Sequence, residues 1–204
     1  MIITAIKQRS PAGLTVCLDD GEEIKSTLGV VTDLRLFAGR DLDEAAVAGL
    51  RRDSRRALAR DRALTIVSQR QMSAKELGAK LRDKGVDAET ADWCVAWCGE
   101  HGLIDEAAYA AAVARHYAAK GYGAGRVRQE LQRRGIPREL WDDAFSAMPE
   151  ETEKLDRFIA ARLRDPSDRD AVRKLSAALY RRGYSGEEIR ASLRRLEAEI
   201  EYEE

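Results

Sequence analysis

Three glycines set the pattern of this chain, because each one closes a similar helical segment. Gly85, Gly135 and Gly183 are spaced 50 and 48 residues apart. Apolar side chains stand four and eight residues before each glycine, which places them on one face of a helix. A glycine at a helix end predicts a left-handed turn. The apolar pairs are Leu77 and Leu81, Val127 and Leu131, and Leu175 and Leu179.

The residues after each glycine predict the start of another helix. An apolar residue follows at once (Val86, Ile136, Tyr184), and then comes Asp87, Pro137 or Ser185. These last three are typical of helix N-termini, and Ser185 with Glu188 forms a capping-box pattern. Further helices are predicted upstream, over residues 57–69, 106–120 and 151–163. Each unit therefore reads as helix–helix–turn–helix.

The N-terminus differs from the rest and predicts a β-hairpin. Residues 2–6 and 14–18 are β-prone, the sequence Ser10-Pro11-Ala12-Gly13 supplies a turn, and residues 22–26 could add a third strand. The predicted fold class is mainly all-α, with three tandem three-helix repeats behind this hairpin. The predicted divisions are 1–42 for the hairpin and lead-in, 43–101 for a leading helix and the first repeat, 102–149 for the second repeat, and 150–204 for the third repeat with an acidic tail.

Composition and motifs argue against catalysis, metals and membranes. Three cysteines without a CxxC pair predict neither disulfides nor zinc, and Cys94 and Cys98 are expected to be small buried hydrophobes. His101, expected at a helix end, and His116 have no partners at metal-ligand spacing. The glycine-rich run from Gly121 to Gly125 predicts a flexible turn between helices instead of a phosphate cradle. We therefore expect a non-enzymatic, cofactor-free, cytoplasmic monomer.

The middle helix of every unit is basic although the whole chain has a net charge of −1. Cations near a helix C-terminus complement the helix dipole, which explains five of them without any partner: Lys84, Arg133, Arg134, Arg181 and Arg182. It does not explain cations near the helix starts, such as Lys75, Arg128 and Lys174, so a surface for an acidic protein or for nucleic acid stays open. The candidate partner-binding residues are Arg70, Lys75, Lys80, Arg82, Lys84, Arg126, Arg128, Arg133, Arg134, Arg173, Lys174, Arg181 and Arg182.

A three-helix unit also suggests a helix-turn-helix reader of DNA sequence. The helices after the glycines, however, carry acidic side chains such as Glu89, Asp142 and Glu187. These would be repelled by DNA in the major groove, where readers usually present Asn, Gln, Ser or Arg. Sequence-specific reading through these helices is therefore not expected.

Several linked motifs resemble the RecX family of RecA regulators. The segment from Val67 to Leu77 with Lys84-Gly85 is similar to the family's first repeat, and Gly102-Leu103-Ile104-Asp105-Glu106 with Arg134-Gly135-Ile136 is similar to its second. Met72 stands where the family often has arginine, and the third repeat, broken by Asp165-Pro166-Ser167, is the most diverged.

The resemblance implies a regulator of DNA repair, recombination and the SOS response. It implies binding along the RecA–DNA filament and inhibition of recombinase, ATPase and coprotease activity. Single- or double-stranded DNA is a second candidate partner, and the alternative function is general nucleic-acid binding by a helical-repeat protein. Salt dependence separates the two functions, because binding through many phosphates weakens steeply with salt.

Overall fold

The computed structural model describes residues 1–11, 13–148, 152–163, 165 and 167–203 of the chain. Helices dominate after a small N-terminal sheet, so the predicted fold class is confirmed. The chain forms two compact units, Met1–Ile104 and Asp105–Glu204. Parts of the sequence prediction fall on Ala12, Glu151, Pro166, Glu204 and the 149–150 boundary, which lie outside the described residues.

The first unit opens with a three-stranded antiparallel sheet in the order β1-β2-β3. The strands are β1 (Ile3–Gln8), β2 (Gly13–Leu18) and β3 (Glu23–Thr27). Ile3, Val16 and Ile24 are buried against the helices that follow, as alternating apolar positions on one sheet face require. The predicted hairpin and its third strand are both present.

Four helices complete the first unit: α1 (Leu28–Asp33), α2 (Glu44–Val67), α3 (Ala74–Asp83) and α4 (Ala88–Glu100). The leading helix and the first helix of the first repeat are one continuous helix, α2, because no proline interrupts its 24 residues. Its N-terminal half packs on the sheet through Val47 and Leu50, and its C-terminal half packs on α3 and α4 through Ala59 and Ala63. The short helix α1 was not predicted.

The two helical cysteines are buried in the first repeat, as predicted. Cys94 and Cys98 are both 0% exposed and lie among Leu77, Leu81 and Ala91. Burial raises the pKa of the Cys94 thiol to about 12 and also raises that of Cys98. Both thiols therefore stay protonated near neutral pH and pack as apolar side chains.

The second unit contains α5 (Glu106–Ala119), α6 (Ala124–Arg134), α7 (Trp141–Ser146), α8 (Thr152–Ala160), α9 (Arg169–Arg181) and α10 (Gly186–Glu203). Pro137 begins a single turn of 3-10 helix ahead of α7. The predicted capping box of α10 is present, since the Ser185 amide donates to the Glu188 carboxylate at 2.6 Å and the Glu188 amide donates to Ser185 Oγ at 3.2 Å.

The three repeat glycines adopt the left-handed backbone that the sequence predicted. Gly85, Gly135 and Gly183 have φ values of 79°, 71° and 90°. In each repeat the amide after the glycine donates back across the helix end, to the carbonyls of Leu81, Leu131 and Leu179, at 3.1, 3.1 and 3.2 Å respectively. Each turn thereby satisfies a carbonyl that the helix end would leave unpaired.

The glycine-rich run before α6 is a close-packed junction and not the flexible turn that was expected. The Gly123 amide donates to the Arg182 carbonyl at 3.0 Å, and the Gly125 amide donates to the Gly183 carbonyl at 2.9 Å. A Cβ on Gly123 would lie 2.5 Å from the Gly183 carbonyl oxygen. Only glycine allows this approach, which joins the second repeat to the third within the second unit.

None of the described helices combines the length and the apolar character that a membrane crossing requires.

Gly183→Ala should destabilise the second unit more than Gly85→Ala destabilises the first. Both positions need a left-handed backbone, which costs a side-chain-bearing residue about 1–2 kcal/mol. At Gly183 the new Cβ would also lie 2.2 Å from the Arg126 backbone nitrogen, whereas at Gly85 it would meet nothing within 4 Å. Overpacking should add about 1–3 kcal/mol to the cost at Gly183. Urea unfolding followed by circular dichroism measures both variants, and equal losses would contradict the close-packed junction.

Candidate functional site

The predicted cationic residues lie on or beside α3, α6 and α9, and the structure divides them by their surroundings. One group has an ion-pairing carboxylate in its own unit or, for Arg182, lies in the junction between two repeats, and the other group consists of the remaining predicted cations. The first group consists of Arg82, Arg126, Arg133, Arg134, Arg173 and Arg182. Whether either group binds a partner stays a prediction.

Glu130 organises the arginines of α6. It is a buried carboxylate whose side chain is only 5% exposed, and its oxygens lie 3.0 Å from Arg126 and 2.7 Å from Arg133. Arg134 approaches the same carboxylate at 3.8 Å and donates to the Tyr109 hydroxyl at 2.5 Å. Residues three and four apart share a helix face, which brings these charges together.

Burial acts to raise the pKa of Glu130, but its partners outweigh that effect. Hydrogen bonds from Arg133 and Tyr117, with the charges of Arg133 and Arg126, hold the pKa below its ordinary value. Glu130 is therefore ionised at neutral pH and neutralises part of the helix's positive charge. Arg134, with a side chain 17% exposed, is a supporting residue of this cluster and the least accessible of the predicted cations on α6.

Arg82 and Arg173 are also paired within their own units. Arg82 on α3 lies 2.5 Å from Asp92 on α4, and Arg173 lies 3.1 Å from Asp170 one turn earlier on α9. Both pairs are solvent-exposed, so each contributes little stability, about 0–1 kcal/mol. The ion pair with Asp170 explains why Arg173 can lie near the start of α9, where the helix dipole disfavours a cation.

Arg182 is directed into the junction between the second and third repeats. Its guanidinium carbon lies 4.8 Å from the Phe158 ring centroid and 5.7 Å from that of Tyr122. It also donates to the Gly121 carbonyl at 3.4 Å. Stacked guanidinium groups of this kind stabilise packed surfaces, so Arg182 helps to hold the glycine junction.

The remaining predicted residues face solvent. Lys75 is exposed on α3. Lys80 is half-buried, and five further residues are exposed: Arg70, Lys84, Arg128, Lys174 and Arg181. These six residues, which do not include Lys75, make no ion pair with any residue in the described ranges. Arg128 lies over the Phe145 ring at 5.1 Å, which fixes the side chain without neutralising it.

A groove of about 540 Å³ lies beside Arg128 in the second unit. Arg128 and Gln129 line one wall, and Tyr180, Ser185 and Glu188 line the other. We call this the junction groove. Tyr180 is 54% exposed, and tyrosine and arginine are both enriched among the residues that contribute most to binding in protein interfaces. The groove therefore offers a partner both charge and apolar area.

The histidines do not join acidic residues in a metal-binding group among the residues that the structure describes. No group of three or more His, Cys, Asp or Glu side chains in those ranges could hold a metal ion. His101 ends α4, as predicted, with Nδ1 2.8 Å from the Trp97 carbonyl oxygen. His116 is exposed on α5 and stacks edge-on with Tyr117.

Sequence reasoning missed a second cationic surface, which lies between α2 and α4. Arg56 stacks on Trp93 and Arg60 stacks on Trp97, with the guanidinium carbons 4.8 and 5.6 Å from the ring centroids. We call these four residues the arginine–tryptophan ladder. The sequence contains two arginines four residues apart and two tryptophans four residues apart, but it does not show that α2 and α4 face each other.

The fold and its surface define a class: tandem three-helix repeat proteins that carry cationic helices. The RecX second three-helix domain matches residues 105–144 and the RecX first three-helix domain matches residues 59–98. The chain is 35% identical over 136 residues to the regulatory protein RecX of Xanthomonas axonopodis pv. citri, spanning 65% of this chain and 84% of that protein. The chain belongs to the RecX family.

A further relative and two solved structures are also RecX proteins. The regulatory protein RecX of Shigella boydii is 34% identical over 142 residues, covering 63% of this chain and 86% of its own. A crystal structure of regulatory protein RecX covers 92% of this chain and 96% of its own, with a TM-score of 0.72 and 25% identity. A second crystal structure, of RecX from Lactobacillus salivarius, covers 71% of this chain and 97% of its own chain, with a TM-score of 0.62. At 21% identity it supports the fold alone.

Replacing Glu130 by Gln should destabilise the protein by about 1–3 kcal/mol at pH 7, because it leaves partly buried guanidinium groups without their counter-charge. The folded pKa of Glu130 is lowered. Its contribution is therefore complete above the unfolded pKa of about 4.3 and is lost as the pH falls through the folded pKa. Urea unfolding of wild type and variant between pH 7 and pH 3 should show the difference shrinking only in the acid range.

Glu153→Gln provides the matched control for this experiment. Glu153 also pairs with an arginine one turn away, Arg157, but at 3.9 Å and with its side chain 92% exposed. Exposed pairs of this kind contribute little, so the control should unfold like the wild type. An equal loss in both variants, or a difference for Glu130→Gln that is independent of pH, would exclude Glu130 as the organising charge.

Proposed function

We propose that this protein binds the RecA–DNA filament and inhibits the recombinase, ATPase and coprotease activities of RecA in DNA repair and recombination. Membership of the RecX family carries the proposal. The protein acts without catalysis of its own, through surface contacts of its helical repeats.

The exposed cations without ion pairs support a binding role. Arg128, Lys174 and Arg181 lie on α6 and α9 of the second unit and are not neutralised by any described carboxylate. The filament is strongly anionic, because DNA carries one charge per phosphate. Charges on the rim of an interface increase the association rate and select the orientation of binding.

The junction groove supplies an apolar surface beside Arg128. Tyr180 projects beside it and Arg128 borders it. A docking surface with an aromatic anchor and a cationic rim fits a protein partner better than bare DNA, since interface energy concentrates in such anchors. This favours filament binding over the alternative of general nucleic-acid binding.

The first test is RecA's DNA-dependent ATPase with and without this protein. Inhibition should saturate as the protein concentration rises, because the inhibitor occupies a finite number of filament sites. A rate that remains unchanged when the protein is present in excess over RecA would overturn the proposed function.

The second test locates the surface. The variant R128Q/K174Q/R181Q should raise the half-inhibitory concentration about tenfold, because three exposed charges contribute roughly 0.5 kcal/mol each. The control R115Q/R157Q/R194Q removes the same charge from exposed positions on α5, α8 and α10. It should inhibit like the wild type. An equal loss in both variants would show that net charge, and not this surface, determines binding.

A further inference from the structure

The arginine–tryptophan ladder is a regular array on the surface of the first unit. Arg56 and Arg60 are one helical turn apart on α2, and Trp93 and Trp97 are one turn apart on α4. Four residues of α-helix rise about 6 Å, so the two stacked pairs follow each other along the groove between the helices. His101 extends the array, because its ring lies 4.3 Å from the Trp97 ring at an interplanar angle of 31°.

The arginines of the ladder, Arg56 and Arg60, form no direct ion pairs in the described part of the chain. Both tryptophans are half-buried and Arg60 is exposed. Arg56 is half-buried. Each guanidinium group covers a ring with one face, so the solvent-exposed part of its opposite face and of its N–H edge can bind another molecule.

Stabilisation of the helix pair alone does not account for this arrangement. A cation–π contact at an exposed site contributes about 0.5–1 kcal/mol, which explains why each arginine lies on its ring. It leaves two adjacent positive charges on one surface, which a structural role does not require. A ligand that combines negative charge with flat apolar faces would complement both properties of the ladder.

We propose that the ladder binds single-stranded nucleic acid. Unpaired bases stack on the outer faces of the Arg56 and Arg60 guanidinium groups, and the guanidinium N–H groups donate to backbone phosphates. An acidic protein segment would use the charges but has no flat rings to match the repeated planes. A duplex would offer phosphates, but its bases are already stacked on one another.

Nearby carboxylates define the more favourable end of the site. Asp33 and Asp53 line a depression of about 270 Å³ together with Trp93, Arg56 and Arg60. Asp53 pairs with Arg52 at 3.0 Å, whereas Asp33 remains an exposed negative charge there. Phosphates are therefore disfavoured in this depression, and the strand extends toward Trp97 and His101, which do not line it. This inference goes beyond the proposed function, because it needs no RecA.

The test measures binding of a fluorescent oligothymidylate of about 20 nucleotides to the full chain without RecA, by anisotropy over a range of salt. The variant R56Q/R60Q should bind at least tenfold more weakly. Its slope of log K against log salt should become less negative by about 1.4, since each lost phosphate contact on a single strand contributes about 0.7. The control K7Q/R9Q removes two cations from β1 and its end, where both pair with Glu23, and should bind like the wild type.

A second variant separates the planar group from the charge. R56K/R60K keeps both charges but presents no flat face, so it should retain the wild-type salt slope while binding several-fold more weakly. Thermal unfolding of both variants checks directly whether either loss of binding comes from misfolding.

Four results would overturn the site. These are unchanged binding by R56Q/R60Q, an equal loss in K7Q/R9Q, duplex DNA binding as tightly as the single strand, and polyglutamate competing as well as the oligonucleotide at equal charge. The last result would assign the ladder to an acidic protein instead. Each of them leaves inhibition of the RecA ATPase untouched, so failure here is distinguishable from failure of the proposed function.

Discussion

The left-handed glycine turn is the constraint on which each repeat depends. At Gly85, Gly135 and Gly183 the chain reverses in one residue, and the next amide donates to a leucine carbonyl one turn back. The same leucines, Leu81 and Leu131 among them, are fully buried. One short segment thus ends a helix, satisfies its last carbonyls and begins the packing of the next helix. At Gly183 the turn also forms the contact between two repeats, because Gly123 and Gly125 pack directly on it.

Charge distribution decides which surfaces of this fold remain for partners. Glu130 forms an ion-pair network with Arg126, Arg133 and Arg134, so most of the positive charge of α6 is paired within the helix. Arg128 on the same helix remains without a counter-ion in the described ranges. A basic helix is therefore not a uniformly basic surface. In the first unit, Arg56 and Arg60 stack on tryptophans. Neither arginine forms an ion pair with a carboxylate in the part of the chain that the structure describes.

Sequence reasoning predicted the repeat architecture well because its signals are local. Glycine turns, the Ser185–Glu188 capping box and apolar steps of four residues all act within one or two helical turns, and each is present. It did not predict that α2 is one continuous helix. The first half of α2 packs on the sheet and the second half packs on α3 and α4, but no helix-breaking residue marks the change in the sequence.

The site was harder to predict than the fold, because it depends on long-range contacts. The convergence of Arg126 and Arg133 on Glu130 follows from their spacing, but the burial of Glu130 does not. The approach of Gly123 to Gly183, and of Arg56 to Trp93, joins segments that are distant in sequence. Composition showed which residues were cationic, and only the packing showed which of them face solvent.

The central claim is that the cationic helices α6 and α9 contact the filament. Hydrogen–deuterium exchange of this protein, alone and with RecA assembled on DNA, measures this directly. The account predicts slower exchange in peptides that cover Ala124–Arg134 and Arg169–Arg181, with unchanged exchange in α8. Unchanged exchange in both of those helices when the filament is saturated, or protection confined to α8, would contradict it.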